Sequence, residues 1–183
     1  MIFQRFFPRE RDPNREINGA LYAAIMAAAR QPHFYSAWEV PDTPLGRFEM
    51  ISLHMILAMR RLAHGSRPER EIAQELTDMF FTEVDHSLRE LGIGDVGVPK
   101  RMKKLAKMFY GRAASYGAAL DSADGAALSA ALARNVVPER ADWRFGGPLA
   151  DYAFDAAALL KGQGEAEILS GSLRYPVAGA TGG

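Results

Sequence analysis

Residues 43–64 have the sequence TPLGRFEMISLHMILAMRRLAH, and this stretch has the features of one long helix with defined ends. Thr43 is a residue type that caps a helix N-terminus, and Pro44 suits the first helical position. Gly65 directly follows the stretch and favours the end of a helix there. The middle of the stretch is apolar on nearly all sides, which is typical of a helix surrounded by other elements. The sequence therefore predicts a central, buried helix.

Five further helices are predicted around this one, because apolar residues recur at helical spacing and no convincing strand pattern occurs. Ser66 followed by Glu69 forms the capping-box pattern of a helix start. The aromatic segment 33–41 is predicted as a loop or a short turn. The chain is thus expected to be an all-α, single-domain bundle of about six helices, with the five others at 14–30, 66–91, 98–120, 121–135 (capped by Asp121 or Asp124) and 147–160.

The domain organisation is predicted from composition along the chain. Residues 1–13 form an N-terminal arm in which phenylalanine alternates with arginine, and this arm is a candidate for contact with a membrane interface. Residues 14–162 form the helical domain. Residues 163–183 are rich in glycine, alanine and serine, and they are predicted to be a flexible tail.

Composition and motifs support no enzyme class. The chain has 183 residues, no cysteine and a formal net charge of zero, which excludes disulfides and thiol catalysis and argues against a general nucleic-acid coat. Its four histidines show no metal-ligand spacing, and no catalytic triad or carboxylate pair stands out. No catalytic residue, metal site or cofactor is therefore predicted. Without a secretory signal or a spanning segment of about 20 apolar residues, the chain is expected to be cytoplasmic.

One glycine-rich motif has an ambiguous pattern. Residues 92–97 read GIGDVG, which matches the G-x-G-x-x-G of dinucleotide-binding proteins. That fingerprint requires a strand before it, whereas a long helix is predicted here. A tight connection between two helices is the favoured interpretation, and phosphate binding at the start of the next helix is the weaker alternative.

The charge distribution is the most informative physical feature. Residues 66–95 contain eight acids and three bases, whereas residues 98–112 contain six bases and no acid. Lys100, Lys103, Lys104 and Lys107 share one sector of the predicted helix, opposite its apolar side. Two interpretations remain open: the bases are solvated and paired with the acidic helix, or they bind an acidic partner such as RNA, a ribosome or anionic lipid.

Three stretches resemble the ubiquinol–cytochrome c chaperone family, whose members assist the assembly of respiratory complex III. They read FY…VPDTPLGRFE within 34–49, D…LRELGIGD within 85–95, and KRMKK…FYGR within 100–112. The resemblance covers roughly residues 21–116 and implies a helical chaperone for newly made cytochrome b. Eukaryotic members act at the mitochondrial ribosome with a small partner protein. The absence of a transit peptide indicates a bacterial-type member.

The resemblance and the charge pattern together give the candidate site. The expected partner-binding residues are Lys100, Arg101, Lys103, Lys104, Lys107, Arg112, Arg47 and Phe48. The leading hypothesis is a non-enzymatic chaperone that binds cytochrome b, peripheral to the cytoplasmic face of the inner membrane. The alternative is a ribosome- or RNA-binding adaptor that uses the basic face of helix 98–120. A third option is a small-molecule carrier or enzyme with a cavity lined by Phe34, Tyr35 and Trp38.

Overall fold

The computed structural model describes residues 13–180, and this part of the chain contains helices and connections but no strand. The all-α prediction is confirmed. None of these helices is long and apolar enough to cross a bilayer. The eight helices are α1 (Pro13–Ala29), α2 (Pro32–Ser36), α3 (Pro44–Ala63), α4 (Arg67–Glu90), α5 (Val98–Asp121), α6 (Gly125–Val136), α7 (Gly146–Gly162) and α8 (Glu165–Leu169).

Helix α3 is the centre of the bundle, as its apolar sequence predicts. It packs against α1, α4, α5, α6 and α7. Its N-terminus is capped by Thr43, whose Oγ1 accepts a hydrogen bond from the backbone N–H of Gly46 at 3.1 Å. Every residue from Ser52 to Ala58 is buried. The burial of this unbroken run explains why its sequence shows no polar face.

Local sequence signals also fix the starts of two neighbouring helices. At α4, the Glu69 carboxylate accepts from the backbone N–H of Ser66 at 2.7 Å, and the Ser66 hydroxyl accepts from the N–H of Glu69 at 3.5 Å. This is the predicted capping box. At α6, the cap is Asp124, whose carboxylate accepts from the N–H of Ala127 at 2.9 Å. Of the two candidates that the sequence left open, Asp124 is therefore the cap.

The helix count exceeds the prediction because two helices of five residues each were not foreseen. Helix α2 lies in the aromatic segment that was predicted as a loop or short turn. Its Phe34 is fully buried, and its ring meets those of His54 and Tyr152 at centroid distances of 5.6 and 5.0 Å. The short helix thus supplies one aromatic anchor to the core. The other is α8.

The predicted extent of the flexible tail is corrected by the structure. Residues 163–180 are packed on the bundle, with Ile168, Leu173 and Ala178 buried. The side chain of Gln31 holds the segment by donating to the Pro176 carbonyl at 3.1 Å and accepting from the Ala178 N–H at 2.8 Å. A few buried apolar side chains and the hydrogen bonds of one side-chain amide therefore hold this segment on the bundle, although small residues are frequent in it. Residues 1–12, which carry most of the predicted arm, and 181–183 lie outside the described residues.

A buried histidine links the central helix to this packed segment. The Nδ1 of His54 lies 2.7 Å from the Met50 carbonyl, and its Nε2 lies 2.8 Å from the Tyr152 hydroxyl. A carbonyl only accepts, so Nδ1 carries the proton and Nε2 accepts from the hydroxyl of Tyr152. The Tyr175 hydroxyl donates to the His54 carbonyl at 2.9 Å. Burial lowers the pKa of His54 from 6.5 to about 4, because the charged ring would be desolvated.

This shift predicts that the protein loses stability as the pH falls. Between the two pKa values the unfolded chain binds a proton at His54 and the folded protein does not. A fall in pH therefore stabilises the unfolded state relative to the folded state. We expect the contribution of His54 to the free energy of unfolding to fall by about 2 kcal/mol from about pH 7 to about pH 5. Denaturant titrations at a series of pH values would measure it.

The matched variant is His54→Gln, which retains a donor and an acceptor but cannot ionise. Its stability should change less over the same pH range. Glu49, whose pKa is raised by burial, acts in the opposite direction, since its protonation favours the folded state as the pH falls. Equal pH slopes for the variant and the unmodified protein would contradict the assignment to His54.

Candidate partner-binding surface

Helix α5 has two faces of different character, as its sequence predicts. Phe109 and Tyr116 are buried on one side, with Leu105 packed partly against the core. The opposite side is exposed and carries lysines at positions one turn apart, which places them on a common surface. The basic face of α5 is defined here by its exposed bases, which are Lys100, Arg101, Lys103, Lys104 and Lys107.

The basic face is not neutralised by the neighbouring acidic helix. No salt bridge joins any of its five bases to another residue within 13–180. Three acids of α4 pair with arginines instead: Glu69 meets Arg61 at 2.9 Å, Glu71 meets Arg67 at 2.8 Å and Asp85 meets Arg89 at 2.6 Å. The interpretation that the lysines serve to pair with α4 is therefore wrong for the described residues. Among the described residues, the five bases of the basic face therefore remain without a direct ion-pair partner.

Arg112 does not belong to this face, although it was predicted as a partner-binding residue. Its side chain is buried and forms a two-point ion pair with Glu49 of α3, in which Nη2 donates to Oε1 at 2.5 Å and Nε donates to Oε2. A third N–H, on Nη1, donates to the Met108 carbonyl at 3.0 Å. Arg112 follows Phe109 by three residues and precedes Tyr116 by four, and this spacing already indicates the apolar side of the helix.

The buried ion pair ties α5 to the central helix at a fixed point. Burial raises the pKa of Glu49, and the hydrogen bond from Arg112 opposes that rise. A carboxylate with 1 % exposure would be costly without such a partner. The pair therefore positions the helix that carries the basic face, rather than contacting a partner directly.

The two other predicted partner-binding residues have different environments. Phe48 is buried, and its ring stacks on Phe80 with centroids 5.9 Å apart, so it is a core residue and not part of the exposed surface. Arg47 is exposed and pairs with Asp42 at 2.6 Å. That hydrogen bond lowers the pKa of Asp42. Arg47 remains available at the surface.

Exposed apolar side chains near the basic face were not predicted. Leu91 and Val96 project from the loop between α4 and α5, and the side chain of Val96 is 96 % exposed. Tyr110 is 55 % exposed on α5 itself, and its ring is backed by Phe81 at a centroid distance of 6.2 Å. The sequence signals were Val96, which lies within the glycine-rich motif, and Leu91, which directly precedes it. The motif does connect two helices.

No other candidate site competes with this surface in the described chain. Within residues 13–180, no group of three or more His, Asp or Glu side chains is arranged to hold a metal ion. The aromatic residues proposed to line a cavity are engaged in packing. Trp38 contacts the Phe34 ring at 5.6 Å, and the Tyr35 hydroxyl donates to the Ala29 carbonyl at 2.9 Å.

Comparison with known proteins places this architecture in a family. A family described as ubiquinol-cytochrome C chaperone matches residues 36–175. The chain belongs to the ubiquinol–cytochrome c chaperone family. A solved structure described as the Cbp3 homolog from Brucella abortus is 49% identical to this chain, covers 92% of it and 93% of its own length, and superimposes with a TM-score of 0.85. A search of curated proteins gave no match.

The family match reaches beyond the predicted resemblance in the C-terminal direction. It ends at Tyr175, within the segment that packs on the bundle. Helices α6, α7 and α8 therefore belong to the family domain together with the basic helix. The family name and the matched structure support a complex III assembly factor of the chaperone type.

Proposed function

We propose that this protein is a non-catalytic chaperone that binds newly made cytochrome b during assembly of ubiquinol–cytochrome c reductase. The observation that carries the proposal is the match to the Cbp3 homolog over almost the whole of both chains. At that identity and coverage the two proteins share the elements that form the surface as well as the core. The finer assignment of cytochrome b as the client rests on the family resemblance.

The charged surface around α5 is the proposed partner-binding region. Five of the eight residues predicted from the sequence form it, Arg47 is exposed on α3, and Phe48 and Arg112 are buried. Isolated apolar side chains lie beside this surface. Binding of the polar segments that flank a membrane-spanning helix of the client would not require a broad apolar groove. The proposed binding residues are Lys100, Arg101, Lys103, Lys104, Lys107 and Arg47.

The proposed site of action is the cytoplasmic face of the inner membrane. A client that is inserted into the membrane as it is made has its flanking segments there. The protein would cover such a segment transiently and release it as the partner subunits of the complex arrive. A small partner protein, as in eukaryotic members, is a further candidate for the exposed surface.

A second candidate function is a ribosome- or RNA-binding adaptor, and the unpaired basic face supports it. Contacts to phosphates release counterions, so such binding weakens steeply as salt is raised. Burial of apolar client surface is far less sensitive to salt. Co-purification at two salt concentrations, with and without ribonuclease, would separate the adaptor from the chaperone.

Deletion of the gene tests the proposed function directly. We expect the deletion strain to contain less assembled complex III and less b-type haem, because unprotected cytochrome b is lost before assembly. Other respiratory complexes should be largely unchanged. Native gel electrophoresis and difference spectra of the haems would measure both quantities.

Complementation provides the control for that experiment. A plasmid that carries the unmodified gene should restore complex III, and the same plasmid with only its selection marker should not. Normal complex III in a strain that lacks every copy of the gene would contradict the chaperone proposal. A general loss of all membrane complexes would favour the adaptor instead.

A further inference from the structure

The basic face of α5 has an unusual electrostatic environment. Its five bases are exposed, and the acids closest to it along the chain are already occupied. Asp95 accepts from Arg89, and Asp121, at the other end of α5, accepts from Arg60. No ion pair within the described chain neutralises these bases, so the ligand that this surface favours is anionic.

Apolar side chains stand at both ends of the same surface. Val96 and Leu91 are exposed in the loop that leads into α5, and Val96 precedes Lys100 by only four residues. At the other end, Tyr110 follows Lys103 and Lys107 at the seven- and three-residue spacings that place side chains on one helix face. The distance along the axis from Lys100 to Tyr110 is about 15 Å. Charge and apolar contact are thus combined on one short surface.

We propose that this surface docks on an anionic phospholipid bilayer. The lysine ammonium groups would meet the lipid phosphates while their aliphatic stems lie along the apolar boundary. Tyr110 has the amphipathic ring that is favoured at the level of the headgroups. Val96, at the tip of the loop, would enter the outer edge of the acyl layer. Helix α5 would lie in the plane of the interface.

Two observations favour lipid over RNA as the occupant. The basic face contains four lysines and one arginine, whereas the planar guanidinium of arginine is the usual group for nucleic-acid recognition. Sites for single-stranded RNA also place aromatic side chains between the basic residues, where the rings stack on the nucleobases. Here the aromatic residue lies at the end of the row, and the side chain beyond the other end is valine. Valine contributes nothing to phosphate binding but is suited to insertion into lipid.

This inference deepens the proposed function, because it assigns the membrane contact to a surface and orients the chaperone toward its client. The docking itself requires no client. A binding assay with lipid alone therefore separates the two, and failure of docking would leave the cytochrome b proposal standing.

The experiment measures binding of the full chain to vesicles of phosphatidylcholine with and without phosphatidylglycerol. The test variant changes Lys100, Lys103, Lys104 and Lys107 to glutamine. Each lysine near an anionic surface contributes roughly fivefold to binding, so we expect the variant to bind the anionic vesicles at least about tenfold more weakly. The control variant changes four exposed basic residues outside α5 to glutamine, namely Arg15, Arg134, Arg144 and Lys161. It should lose less than about threefold, as screening weakens distant charges.

A second variant distinguishes lipid from RNA. Val96→Ser removes the apolar tip without touching a charge, and it should not affect folding because the side chain is almost fully exposed. We expect it to weaken vesicle binding by about threefold or more, since part of a valine side chain is no longer buried in lipid. Binding to polyuridylate RNA should be unchanged in this variant.

Several results would overturn the proposal. One is that the unmodified protein binds the anionic vesicles no better than the neutral ones. Another is that the control variant loses as much affinity as the lysine variant, which would mean that only net charge matters. Tight, lysine-dependent binding to RNA together with normal vesicle binding of both test variants would assign the face to nucleic acid.

Discussion

Replacing Arg112 with methionine is expected to lower the free energy of unfolding by about 3–5 kcal/mol. The substitution leaves the Glu49 carboxylate buried at 1 % exposure without the guanidinium that compensates its charge. It also removes the donor to the Met108 carbonyl. At pH 7 the carboxyl must either remain charged in an apolar site or take up a proton, and both are costly. Denaturant titration of the two proteins would measure the loss.

Two further variants make this result interpretable. Replacing both Glu49 and Arg112 with methionine should recover most of the stability, because no unpaired charge is left inside. Arg47→Met removes the same side-chain type from an exposed pair on the protein surface and should leave the stability nearly unchanged. A loss below about 1 kcal/mol for Arg112→Met would show that water reaches the carboxylate. In that case Arg112 would again be a candidate for partner contact.

The basic face and the buried ion pair show which parts of the site can be predicted from the sequence and which cannot. The lysines were found because exposure follows from their helical phase and their chemistry. Arg112 was assigned to the same face because it closes a run of bases, although its phase places it with Phe109 and Tyr116. Long-range pairing with Glu49, 63 residues earlier, decides its role. Helical phase should therefore take precedence over membership in a charge run.

The C-terminal segment shows a different limit of sequence reasoning. Small residues dominate it, so its composition predicts little burial. Its order depends on partners that are distant in the chain: Gln31 contacts Pro176 and Ala178, and Tyr175 contacts the carbonyl of His54. No local pattern encodes those contacts. By contrast, α3, α4 and α6 begin at the caps that the sequence offers, because capping is decided within four residues.

The central position of α3 leads to the second large stability effect. Leu57→Ala should cost about 2–5 kcal/mol, since Leu57 is 2 % exposed within the main core cluster and its loss would leave a cavity. For a domain of this size that corresponds to a fall in the melting temperature of roughly 5–15 °C.

The matched control is Leu45→Ala, which makes the same chemical change in the same helix at a side chain that is 47% exposed. Its effect should stay within about 0.5 kcal/mol, because no comparable cavity forms at the surface. Scanning calorimetry of both variants under identical conditions would compare them. Equal effects at the two positions would mean that the middle of α3 is no better packed than its first turn, and the central-helix description would fail. A large loss at Leu57 alone would confirm that the middle of α3 is tightly packed within the core.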